Sequence, residues 1–112
     1  MSAVASVARD WLQLVDRGDT AAAYKAAGAR FRGSMSSEIW SKALVSQREP
    51  RGKLLQRALS QTAFEKRLGD LPEGEYAMLL FRTAFEKQPD AGETVTLERE
   101  KDGWRVVGYL IR

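Results

Sequence analysis

Apolar residues recur along this chain in two rhythms. In the front half they return every three or four positions. In the back half they alternate or run together. Val4, Val7, Ala8, Trp11, Leu14 and Val15 follow the i, i+3, i+4, i+7 spacing that gives a helix one apolar stripe. The pattern predicts a helix over 3–17, with Ser2 as N-cap and Gly18 just past its end. Asp19 is placed to cap a second, alanine-rich helix whose one large contact is Tyr24, ending near Gly28. Residues 29–34 read as a connector carrying Arg30, Phe31 and Arg32. A third helix starts after Ser36, with Met35 and Trp40 spaced as a hydrophobic staple. Its stripe is Ile39, Trp40, Ala43, Leu44 and Gln47, and Pro50 with Gly52 ends it.

The stretch KLLQRALSQTAFEKRL fits both periods, and local propensity leans to helix over 53–60 and strand afterwards. Leu71-Pro72-Glu73-Gly74 is a turn. Tyr76–Phe85 reads as a strand whose continuous apolar centre, Met78 to Phe81, demands cover on both faces. Gln88–Gly92 reads as a loop into the last twenty residues, a hairpin about Lys101-Asp102-Gly103. A two-residue turn at Asp102-Gly103 would pair Lys101 with Trp104. A G1 bulge at Gly103 would pair Glu100 with Trp104 and set Leu97 beside Val107, and a slip of one residue exchanges the faces. Helices first and strands afterwards imply one α+β domain over 1–112, with helices on one face of an antiparallel sheet.

Composition mainly removes chemistry. The 112 residues are 44% hydrophobic and 29% charged, an ordinary globular balance. Cysteine and histidine are absent. Disulfides, thiol catalysis, cysteine-based metal sites and every Ser-His or Cys-His arrangement are thereby excluded. No apolar run approaches the ~20 residues of a bilayer span. The opening MSAVASVARDW lacks a basic n-region and a long apolar core, so the chain as written reads as unexported and cytoplasmic. A periplasmic protein trimmed to its mature start would look the same. The net charge of +3 bears on solubility and non-specific attraction to anions rather than on fold.

Four stretches together, WLQLVDRGD, SSEIWSKAL, EGEYAMLLFRTAF and ETVTLEREKDGWRVVGYLIR, resemble the bacterial family named domain of unknown function 4019. That family looks like a member of the cystatin-like, nuclear-transport-factor-two-like group of α+β cones. The resemblance implies three helices wrapped against a curved four-stranded meander, with Leu54 to Arg67 as a long first strand. It implies no catalytic residue. Members generally carry an export signal, from which this chain departs.

Several residue sets could carry function. Trp11, Tyr24, Phe31, Trp40, Phe81 and Trp104 could wall a pocket between helices and sheet, or simply fill a small domain's core. For proton transfer in a dry pocket the only suitable groups are Asp16, Asp19, Tyr24, Tyr76 and Tyr109. Asp16 and Asp19 are already explained by a helix end and a cap. Asp16, Asp19 and Asp90 match no oxygen-ligand loop for calcium or magnesium, so no metal and no cofactor are expected. Arg48, Arg51, Lys53 and Arg57, with Arg30 and Arg32 upstream, are interrupted by acids and carry no interleaved aromatics. They read as a solvated helix end rather than a nucleic-acid track.

The doubly apolar strands point elsewhere. If helices cover one side of the sheet, Leu79, Phe81, Phe85, Val107, Tyr109 and Ile111 remain for an interface, which suggests a homodimer. The expectation is a non-catalytic binding or assembly module without nucleic-acid or membrane partners. The alternative is a small-molecule-binding or isomerase-like cone.

Overall fold

The computed structural model describes residues 3–112. The expected N-cap at Ser2 lies outside the described residues. Four helices lead: α1 (Ala3–Asp16), α2 (Thr20–Ala26), α3 (Ala29–Ser34) and α4 (Ser37–Arg48), the last followed by a short 3₁₀ turn at Glu49–Arg51. Four strands follow: β1 (Leu54–Glu65), β2 (Tyr76–Phe85), β3 (Gln88–Glu100) and β4 (Gly103–Ile111). They form one antiparallel meander in the order β1-β2-β3-β4.

The helices form where periodicity and caps placed them. Gly18 adopts φ +74°, and Gly18 N–H and Asp19 N–H donate to the carbonyls of Val15 and Leu14, the paired bonds that close a helix with a left-handed glycine. Asp19 accepts from Ala22 N–H and Ser36 accepts from Ile39 N–H, each satisfying an orphan donor at a helix start. The predicted connector at 29–34 is instead the helix α3. Its start lies against the sheet's edge, where Gly28 N–H donates to the Val106 carbonyl and Ala29 N–H to the Glu100 carboxylate. Tertiary bonds thus support a segment too short to be helical alone.

Within the ambiguous 53–68 stretch, Leu54–Glu65 forms the long edge strand β1, ending two residues before the Arg67 that the resemblance implied. The lean to helix over 53–60 is corrected by its antiparallel pairing with β2, through bulges at Leu55 and Ser60. Gln88–Gly92 belongs to β3 rather than a loop, and the chain turns at Glu86-Lys87. Pro89 is accommodated because the register slips there, between Thr83 and Phe85. The last hairpin takes neither expected register: Glu100 pairs with Gly103 and Arg99 with Trp104. Gly103 at φ +123° opens β4, and a second slip leaves Val107 bulged.

These registers decide which side is inside. The helix-facing side of the sheet carries Ala77, Leu79, Phe81, Thr83 and Phe85 of β2, Glu93, Val95 and Leu97 of β3, and Val106, Tyr109 and Ile111 of β4. The main core joins Leu79, Phe81, Val95, Leu97 and Val106 of these strands to Val4, Ala8, Trp11, Leu12 and Val15 of α1 and to Trp40 and Leu44 of α4. A satellite of Phe85, Ala91 and Ile111 closes the far end. The outer side carries Met78, Leu80, Thr94, Thr96 and Leu110, with Leu80 38% and Leu110 43% exposed.

Candidate functional site

Among the described residues the interior holds one fully buried carboxylate, Glu93, at 0% exposure. It sits on β3 between Phe81 of β2 and Ile111 of β4, on the helix-facing side. An unpaired carboxylate there would be costly, so its partners define the site. Arg57 reaches over from β1 and donates twice, Nε to Oε1 at 2.7 Å and Nη2 to Oε2 at 3.1 Å. Thr83 Oγ1 donates to Oε1 at 2.7 Å, and the Tyr109 hydroxyl donates to Oε2. Each carboxylate oxygen therefore accepts two hydrogen bonds, which fills the lone-pair sites of an ionised carboxylate.

Arg57 also ties this strand cluster to the helices. Its Nη1 and Nη2 donate to Asp16 Oδ2 and Oδ1, at 2.7 and 3.0 Å, at the end of α1. Arg48, in the last turn of α4, donates from Nη2 to Asp16 Oδ1 at 3.0 Å. Its guanidinium lies 4.9 Å from the centre of the Phe85 ring. Two arginines and two carboxylates balance. Arg48 Nε and Nη1 are buried without a hydrogen-bond partner among the described residues, and the Phe85 ring face is the contact the guanidinium makes on that side.

The shifts follow from this geometry. Burial by itself would lower the Arg57 pKa, but its hydrogen bonds to Asp16 and Glu93 outweigh that and raise it. Burial raises the Tyr109 pKa, and the adjacent Glu93 charge and the hydrogen bond between them raise it further. Tyr109 is thus held as a neutral phenol donating to a carboxylate. The cluster can anchor three elements to one another. It offers no free lone pair for proton abstraction at Glu93 and no readily ionised phenol at Tyr109.

The proposed pocket aromatics are partly united. Trp11 lies 5.8 Å from Trp40 and 5.3 Å from Tyr109, centre to centre, and Trp40 lies 5.5 Å from Phe31. Tyr24 meets Phe31 at 6.3 Å. These tilted and edge-on contacts make one continuous packed stack. Its polar atoms are spoken for, with Trp11 Nε1 donating to the Ala23 carbonyl and the Tyr24 hydroxyl bridging the carbonyls of Arg32 and Met35. Phe81 is buried elsewhere in the core, with Arg9 over its ring. Trp104 stands apart against Phe64.

The hollows between these elements are open grooves. One of about 360 Å³ runs between α1 and the start of β4, lined by Trp11, Leu14, Trp104 and Val106 among others. Another of about 410 Å³ lies at the ends of α1 and α4, beside Asp16, Arg48 and Lys53. Glu93 lines neither.

The other expected sites come apart. Asp19 caps α2, Asp90 is exposed on β3 and Tyr76 donates to the Pro72 carbonyl, so none of them joins Asp16 or Tyr109. Arg48 and Arg57, read from sequence as part of a solvated end, point inward. The six expected interface residues are corrected too. Leu79, Phe81, Phe85 and Ile111 are buried by the chain's own helices and satellite core, Tyr109 faces Glu93, and Val107 is the bulged residue beside Gly28. Strand alternation permitted either side, and for Val107, Tyr109 and Ile111 the slipped hairpin register chose. Glu93 and Thr83 were missed as site residues. The available signal was a charged residue entering an otherwise apolar strand face.

Residues 7–109 match the family described as protein of unknown function (DUF4019), and the chain belongs to that family. No curated protein matches it. Among solved structures, the chain is similar to a candidate NTF2-like transpeptidase from Campylobacter jejuni, with a TM-score of 0.65 at 12% identity. The match covers 94% of this chain and 97% of the other. At that identity the likeness establishes the NTF2-like α+β cone fold.

Proposed function

Starting from that family and fold, we propose that the protein is a non-catalytic assembly module that works as a homodimer. The observation that carries this reading is the saturation of Glu93, which accepts from Arg57 twice, from Thr83 and from Tyr109. A cone that performs acid–base chemistry needs a carboxylate with free capacity facing a substrate-sized space. Here the buried carboxylate is occupied and the aromatics around Trp11 and Trp40 pack on one another. Self-association is supported by the surface. Of the exposed large apolar side chains among the described residues, Leu55, Phe64, Leu80 and Leu110 lie on the sheet, against Ile39 and Val45 on the helices.

Sedimentation velocity tests the reading. A dimer is expected at roughly tens of micromolar, where an interface of standard area holds. A monomer at that concentration refutes it.

The alternative, a small-molecule-binding or isomerase-like cone, draws support from the groove holding Trp11 and Trp104, which is within the size range of ligand sites. It predicts that a small aromatic acid such as 2-naphthoate raises the melting temperature, and that Trp104→Ala removes the effect.

A further inference from the structure

The two edges of the sheet are treated differently. At β4 the chain covers its own edge, since Gly28 N–H bonds the Val106 carbonyl and α3 begins alongside. At β1 no further strand pairs with the edge among the described residues, and β1 is twelve residues long. Glu86 N–H donates to the Lys53 carbonyl, and from that pair the ladder alternates through the bulges at Leu55 and Ser60. The backbone groups of Arg57, Leu59, Thr62 and Phe64 therefore point away from β2, toward open solvent.

Proteins usually blunt such an edge with lysine, proline or inward charge. Between Leu54 and Phe64 the only charged side chain is Arg57, and Asp16 and Glu93 already neutralise it. Leu55 and Phe64, at opposite ends, are 65% and 62% exposed, and one side of the Phe64 ring meets Trp104 at 6.2 Å. Beyond them stand Lys53 and Glu65, which make no ion pair among the described residues.

We infer that β1 is the dimer interface, pairing antiparallel with β1 of a second copy about a two-fold axis between Leu59 and Ser60. This rests on the self-association reading and names its surface. An antiparallel two-fold brings each end of the strand to the other end of its copy, so the pattern must complement itself. It does so over the centre of the strand. The register opposes Arg57 with Thr62 of the second copy, both with outward-pointing amides. It sets the bulged Leu55 against Phe64, and beyond them Lys53 faces Lys66 with Glu65 on the diagonal. The bulge at Ser60 keeps helix-facing residues opposite helix-facing residues, so the two sheets continue as one with helices on one side. The outer face is the poorer surface, because Thr94 separates Leu80 from Leu110 and Gln61 and Arg82 flank them.

Sedimentation of the full chain and three variants decides the matter. Thr62→Pro deletes one outward N–H at a position that bonds nothing within the monomer. Leu55→Lys adds an edge charge at an exposed site. Each is expected to weaken dimerisation by about tenfold or more, as loss of an interface hydrogen bond or apolar contact implies, with the far-ultraviolet spectrum unchanged. The double variant Leu80→Lys/Leu110→Lys should dimerise like the parent. Should Thr62→Pro misfold, Leu55→Lys alone decides. A dimer that survives Leu55→Lys and a folded Thr62→Pro overturns the edge interface and leaves self-association standing. Dissociation by the outer-face pair instead moves the contact to that face. A monomeric parent overturns both.

Discussion

Arg57 on β1 and Glu93 on β3 form a two-point ion pair that passes across the intervening strand β2, with Glu93 fully buried. The pair joins the exposed edge of the sheet to its centre, and through Asp16 it joins both to the end of α1. Removing Arg57 strands the Glu93 charge, whereas removing Glu93 leaves Arg57 held by Asp16 alone. Arg57→Met should cost about 3–5 kcal/mol and Glu93→Leu less, because Arg57 retains Asp16. Urea unfolding of both single variants and the double variant checks this. The double should cost well under the sum, because the two residues are coupled through one contact.

Arg48 belongs to the same cluster but is bound more loosely. It makes one hydrogen bond to Asp16 and leaves Nε and Nη1 without partners, while Arg57 still holds Asp16 with two bonds. Arg48→Met keeps the stem over Phe85 and relieves those unmatched donors. It should change stability by no more than about 1 kcal/mol. A loss as large as that of Arg57→Met in the same urea series would show that the Phe85 ring stabilises the cation far more strongly than an ordinary ring contact does.

Tyr109 gives the fold an alkaline limit. Its pKa is raised by burial and by Glu93, so the folded state prefers the neutral phenol more strongly than the unfolded state does. That contribution is fully present below the unfolded tyrosine value of about 10 and is lost as pH rises beyond it. Unfolding free energy should therefore fall with pH above about 10 in the parent. Tyr109→Phe should start lower by about 1–3 kcal/mol, the loss of a hydrogen bond to a charged acceptor, and show a shallower alkaline slope.

Two glycines separate space from propensity. A Cβ at Gly28 would meet Glu100 Oε2 at 2.7 Å, Val107 Cγ1 at 3.0 Å and Arg105 Cβ at 3.1 Å, so Gly28→Ala must displace the Glu100 carboxylate from Ala29 N–H and crowd Val107 and Arg105. Gly33, within α3, has nothing within 4 Å of such an atom. Gly33→Ala should raise stability by about 0.5–1 kcal/mol through helix propensity, while Gly28→Ala should lower it by about 1–3 kcal/mol. Thermal melts of the two variants side by side should shift in opposite directions.

What the chain determined without help from its fold is the set of locally encoded elements. The stripe of α1, the caps at Asp19 and Ser36, the Gly18 stop and the strand 76–85 all depend on neighbours within a few positions, and all stand as expected. Sequence resemblance added β1, which periodicity alone would have split. What only tertiary structure decided is every feature that depends on register. A bulge of one residue at Val107 or Ser60 moves a whole row of side chains through the sheet, and no local energy term records where it falls. For the same reason the six expected interface residues turned inward or toward the covered edge. Glu93, Arg57, Asp16 and Tyr109, distant in sequence, met because two strand slips and one helix end happen to aim them at a single point.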